Sequence, residues 1–107
     1  MSISVLNSQQ EFEKAFEENP SFFLMKNSTT CPISAMAYDQ FKNFSESVDF
    51  PCYLLHVQES RELSNHIAEQ YSVRHESPQV LLFKGQEVLW HDSHGAITEK
   101  TLQQVVS

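Results

Sequence analysis

Residues 52–57 read Cys-Tyr-Leu-Leu-His-Val, a nearly continuous apolar segment that opens behind Pro51. A strand with one wet face alternates apolar and polar side chains, whereas an unbroken run fits a strand covered on both faces. Such strands lie inside α/β sheets and run parallel to a neighbour. Phe22–Met25 and Val80–Phe83 are also short apolar runs, so the chain needs layers of helix on either side of a sheet.

The intervening segments supply those helices. Ser8 and Glu11 resemble a capping box, with Phe12, Ala15 and Phe16 on one face and Asn19-Pro20 as the stop. Ile33, Met36, Ala37, Phe41 and Phe44 recur at helical spacing from Pro32 to about Ser45. A third helix starts at Ser60 with Leu63, Ile67, Ala68 and Tyr71 on one side. A last one follows Thr98, with Leu102, Val105 and Val106 inward and Ile97 stapled onto Leu102. Ile3, Val5 and Leu6 predict a short first strand, and Ser21–Lys26 a second. Residues 79–91 predict a hairpin turning at Lys84-Gly85-Gln86. The order is β-α-β-α-β-α-β-β-α: an α/β fold with a central mixed sheet and helices on both faces, in a single domain over 1–107.

Composition narrows the function classes. Fourteen acidic residues against seven Lys and Arg give a net charge of −7, which opposes nucleic acid and anionic membrane as partners. The apolar runs fall far short of the roughly 20 residues a membrane-spanning helix needs. No charged start followed by an apolar stretch marks a secretory signal, so a cytoplasmic location is expected. Cys31 and Cys52 are too few for a disulfide scaffold and form no C-x-x-C pair.

Cys31 is the residue on which chemistry converges. It sits in Ser28-Thr29-Thr30-Cys31-Pro32-Ile33-Ser34, between the second strand and a helix that begins at Pro32. Proline suits the first helical position, where its missing N–H has no intrahelical partner to lose. The unpaired N–H groups and the positive dipole end at a helix start favour a thiolate, and the thiolate is the nucleophile. Ser34 is placed to donate a hydrogen bond back to the sulfur. The bland alternative is an inert cysteine that happens to precede a helix.

Two strings then sharpen the reading. Thr30-Cys31-Pro32-Ile33-Ser34 and His75-Glu76-Ser77-Pro78-Gln79, together with the element order, make the chain resemble the thioredoxin superfamily, and within it the monothiol bacilliredoxins, a family of general stress proteins. The resemblance spans essentially all 107 residues and implies a thioredoxin-like fold. It further implies exchange with bacillithiol, a low-molecular-weight thiol that acts as co-substrate rather than as a tightly bound cofactor. By the same resemblance Cys31 is the nucleophile, and Ser34 holds the position of a resolving cysteine in dithiol relatives. Pro78 corresponds to the superfamily's cis-proline, and Ser77 to the residue whose backbone pairs with an extended substrate. Thr29, Thr30, Pro32, His75 and Gln79 complete the expected substrate contacts, with Gln79 contributing backbone groups. Met25 stands where thioredoxins carry a buried acid, so this is not expected to be a general dithiol reductase.

The expected partners are S-thiolated proteins and a small thiol, and the expected state is monomeric. Cys52 opens its strand, at the end away from Cys31. At roughly 3.3 Å per residue the two lie beyond the ~7 Å Cα limit for a disulfide. It reads as a buried small hydrophobe. Five histidines invite a metal site, but no C-x-x-C or H-x-x-x-H pair supports one. His75 reads either as a proton-handling residue lining the site or as a plain loop histidine. Two rival functions are a thioredoxin-fold module that binds extended peptides without chemistry, and peroxide reduction through a sulfenic acid at Cys31. The second lacks the activating Arg and Thr framework.

Overall fold

The computed structural model describes residues 3–106. Five strands form one mixed sheet in the order β1-β3-β2-β4-β5. They are β1 (Ile3–Val5), β2 (Ser21–Asn27), β3 (Cys52–His56), β4 (Gln79–Lys84) and β5 (Glu87–Ser93). The first three are parallel, and β4 runs antiparallel to both β2 and β5. The helices are α1 (Gln9–Glu18), α2 (Pro32–Ser47), α3 (Arg61–Tyr71) and α4 (Glu99–Val106), with a 3₁₀ turn at His94–Ala96. This is the α/β order expected from the sequence.

Alternation along the strands divides the core. Phe22, Leu24, Leu55, Leu81 and Phe83 pack with Phe12 of α1 and Leu63 and Ile67 of α3. Phe23, Met25, Leu54, Val80 and Leu82 face the other way, onto Phe41 and Phe44 of α2 and Leu102 of α4. Each layer buries large apolar side chains, and full burial of one such side chain contributes about 1.5–3 kcal/mol. Phe12 also meets Phe22 and Phe83 edge-on.

Local chemistry fixes the connections. The Ser8 hydroxyl accepts from the Glu11 N–H, while the Glu11 carboxylate accepts from the N–H of Asn7, one residue before the cap. The Thr98 hydroxyl caps α4 by accepting from the Thr101 N–H, and Ile97 and Leu102 are buried in one cluster, as a staple requires. Gly85 and Gln86 both have positive φ at the hairpin turn (59° and 64°), a conformation in which glycine avoids a Cβ clash.

Some details differ from the sequence expectation: β5 reaches Ser93 rather than ending at residue 91. Helix α2 continues to Ser47 rather than ending near Ser45. Val106 is exposed, because the helix ends there and only Leu102 and Val105 reach the sheet layer. Ile33 and Met36 also point outward, lining a groove of about 650 Å³ between α2 and the His94–Thr98 segment.

Candidate active site

The register of β2 sets the site. Asn27 ends the strand, and residues 28–31 form the turn into α2 at the same end of the sheet. Lys26 pairs with Gln79 across the antiparallel β2–β4 ladder, so Ser77 and Pro78 arrive beside the end of β2. The Ser77–Pro78 bond is cis. The Pro78 carbonyl accepts from the His94 N–H at 3.0 Å, and the Glu76 carboxylate accepts from the Ser93 hydroxyl at 2.7 Å. The end of β5 thereby holds the cis-proline segment against the sheet. Ser77 itself precedes the ladder, which begins at Gln79.

Cys31 is the N-cap residue of α2, with extended backbone (φ −106°, ψ 123°) and Pro32 in the first helical position. It is a free, half-buried thiol. The Ser34 N–H, then the Ile33 N–H, converge on the sulfur and lower its pKa; partial desolvation opposes them, and the Ser34 hydroxyl adds a further hydrogen bond. Ser34 is fully buried. Its oxygen accepts from the Ser28 N–H at 3.3 Å, which leaves the hydroxyl proton for the sulfur. A thiolate at a helix start with three donors is stabilised as an anion.

The turn before Cys31 is clamped from a distance. Gln58, in the loop after β3, accepts from the Thr29 N–H at 3.1 Å. Its amide donates to Ser28 Oγ at 2.7 Å and to Thr30 Oγ1 at 3.2 Å. Thr29 and Thr30 are exposed on the rim, and so is Pro32. Nothing local marks Gln58, since these partners are 28 to 30 residues away in sequence.

Two other residues belong to the site without a motif to single them out. Lys26 is fully buried on the α1/α3 face, in the stripe of Phe22 and Leu24. Its Nζ donates to the Ser64 carbonyl at 3.0 Å and lies 3.3 Å from His75 Nδ1. Burial lowers its pKa to about 8. The alternation Phe22-Leu24-Lys26 in a strand covered on both faces is the available signal. Asn27 is also buried, and its Oδ1 has no hydrogen-bond partner among the described residues.

The expected contacts separate into rim and interior. His75 is exposed, with its Nδ1 turned inward to Lys26 and 3.2 Å from Ser64 Oγ. Gln79 needs correcting. It is 1% exposed, its backbone lies in the ladder between Lys26 and Ser93, and its amide donates to the Arg74 carbonyl at 3.1 Å. Its place is to brace the segment before Pro78 rather than to meet a substrate. Ser77 is half-buried, its hydroxyl oxygen without a partner among the described residues, and Pro78 is buried.

Cys52 lies at the other end of the strands. It pairs with Phe23, four residues before Asn27, which is roughly 13 Å along the strand at the usual rise. Its thiol donates to the Phe50 carbonyl at 3.3 Å, and burial pushes its pKa up to about 12. Among the described residues no three His, Cys, Asp or Glu side chains converge as metal ligands, and no helix is long and apolar enough to cross a membrane.

A cysteine capping a helix beside a cis-proline, just past the C-terminal end of the central strand of this five-stranded sheet, defines a protein of the thioredoxin fold. Solved structures agree. A thioredoxin-fold chain proposed to be an oxidoreductase is 44% identical, with a TM-score of 0.93, covering 98% of this chain and 94% of that one. A mutant thioredoxin from Halobacterium salinarum is 20% identical with a TM-score of 0.80, covering 98% of this chain and 88% of that one. A thioredoxin from Schistosoma mansoni is 17% identical with a TM-score of 0.79, covering 99% of this chain and 96% of that one. At those identities the two thioredoxins speak for the fold alone. Residues 4–102 match the family described as monothiol bacilliredoxin BrxC, and the chain belongs to that family. Membership makes it a redox protein of the thiol–disulfide class.

Proposed function

We propose that this protein removes bacillithiol, or a closely similar small thiol, from mixed disulfides on other proteins through Cys31. The Cys31 thiolate attacks the bacillithiol sulfur of the capped protein. A Cys31–bacillithiol disulfide forms as the client's disulfide breaks, and the client sulfur leaves as a thiolate that takes a proton from water. A second thiol, free bacillithiol or a partner reductase, then attacks the Cys31 adduct, forming a new disulfide and releasing the Cys31 thiolate. Each step depends on thiolate fraction and on leaving-group placement.

The observation that carries this reading is the pairing of Cys31 with Ser34. Ser34 occupies the position from which a resolving cysteine would attack, yet supplies a buried hydroxyl that stabilises the thiolate. The other cysteine is remote and held as a thiol. A nucleophile with no internal resolving thiol suits a one-cysteine cycle that retains the cap. Ser77 beside the cis bond and the Thr29–Thr30 rim flank Cys31 as contacts for an extended client, and exposed Ile33 and Met36 offer an apolar seat. A reducing cytosol, where lone reactive thiols persist, is the compartment that fits this cycle.

The test is intact mass spectrometry after mixing the protein with a bacillithiol-capped model protein and, separately, a glutathione-capped one. The expected result is one bacillithiol adduct at Cys31, equivalent release of client thiol, and no transfer by Cys31→Ser. Faster transfer from the bacillithiol cap supports the named thiol. Absence of any adduct between neutral and mildly alkaline pH removes the exchange reading and leaves a peptide-binding module.

A further inference from the structure

Lys26 is a cation in an apolar layer, and thiol exchange at Cys31 makes no direct use of it. Its two partners are the Ser64 carbonyl and His75 Nδ1, and Ser64 Oγ lies against the same ring nitrogen. The other charged groups acting on the ring are Arg61, at the start of α3, and Glu76, whose carboxylate is engaged by Ser93. An ammonium group only donates hydrogen bonds, so a ring nitrogen that faces it must accept. In a neutral imidazole the single proton then sits on Nε2. His75 is exposed while its Nδ1 meets a fully buried group, so Nε2 lies on the solvent side. Burial first, then the charges of Lys26 and Arg61, lower the His75 pKa and keep the ring neutral near pH 7.

Building on the exchange reading above, we propose that Lys26 is a positioning residue acting through His75. It fixes the ring as the Nε2–H tautomer, and that N–H holds a carboxylate of the capping thiol beside Cys31. His75 lies three residues before Pro78, on the segment that the β2–β4 register brings to the end of β2. Around the His75 ring, Arg61 and the buried Lys26 bring two positive charges against the one negative charge of Glu76, a balance that favours an anionic cap over a cationic one. An apolar residue in place of Lys26 frees Nδ1 to take the ring proton, and the outward donor is then lost from part of the population.

Two readouts test this. Long-range proton–nitrogen NMR of His75 is expected to report the Nε2–H tautomer in the wild type and a mixture in Lys26→Met. Transfer is then timed from one model protein capped either with mercaptopropionate, which carries a carboxylate, or with cysteamine, which carries an ammonium. The wild type is expected to favour the carboxylate cap by about tenfold in kcat/KM, expressed mainly in KM. His75→Ala is expected to reduce that preference to about twofold, Lys26→Met to an intermediate value set by the remaining Nε2–H fraction, and the double variant to do no more than His75→Ala, because the two act on one contact. An Nδ1–H ring in the wild type, an unchanged preference in either variant, or additive losses would overturn the proposal. Failure of the wild type to accept either cap would sink the exchange reading itself, while the NMR result would still decide the Lys26–His75 relation.

Discussion

Cys31 and Cys52 belong to one small fold and carry the same functional group, yet their surroundings shift the two thiol pKa values in opposite directions. Cys31 stands where β2 has ended and α2 has begun, with the N–H groups of Ser34 and Ile33 aimed at it. Cys52 opens β3 in the layer of Phe23 and Leu54, where burial pushes the thiol up to about 12. One setting offers backbone donors; the other offers a carbonyl, which accepts the thiol proton and so favours the neutral form. The polarity of the parallel strands separates them, since one lies past the C-terminal end of β2 and the other at the N-terminal end of β3. Thiol chemistry in this molecule is therefore a property of where the chain turns.

Substitutions can break that contrast at graded cost. Cys31→Ser is expected to reduce transfer of a small-thiol cap to the uncatalysed background, about a thousandfold or more, read by single-turnover mass spectrometry. Transfer retained by that variant would move the nucleophile elsewhere. Ser34→Cys is expected to change the outcome rather than the first step. A second thiol in the first turn of α2 would attack the Cys31 adduct, so the small-thiol adduct no longer accumulates and an internal disulfide appears instead. Ser34→Ala removes the hydroxyl but leaves the two backbone donors that act more strongly, so the Cys31 pKa should rise only part of the way. Transfer at pH 7 then falls by less than about tenfold. Gln58→Ala loosens the 28–30 turn and is expected to slow transfer about two- to fivefold, with a stability loss of about 1 kcal/mol or less in urea unfolding. The smallest effect belongs to Cys52→Ala, which should leave transfer within about twofold while costing about 1 kcal/mol of packing.

How much of this is legible in the chain follows from how local each signal is. The Cys31–Pro32 helix start is readable because a proline at the first helical position and a cysteine before it act within one turn. The two-sided strands are readable because Phe22–Met25, 52–57 and Val80–Phe83 have no wet face to declare. Ser77–Pro78 enters through family resemblance, and its cis bond is visible only in the assembled structure. Gln58 escapes notice because its contacts cross from the loop after β3 to the turn after β2, and a lone glutamine carries no pattern. Lys26 escapes for a different reason: a lysine at the end of a strand reads as its wet terminus, and only α3 and the segment at His75 close over it. Gln79 reads as a substrate contact because it follows Pro78, but the ladder commits its backbone on both sides.

The most direct test of the central claim is the pH dependence with which the two cysteines react in one sample of native protein. A small alkylating reagent is applied across a pH series, and each site is read by peptide mass mapping. A lowered pKa means that the thiolate fraction of Cys31 rises and levels off at lower pH than for an ordinary thiol. Cys31 is therefore expected to be modified with an inflection below that of a free cysteine peptide, while Cys52 stays unmodified until denaturant exposes it. An inflection at Cys31 equal to or above the free peptide's, or parallel modification of both cysteines in the native state, would contradict the account.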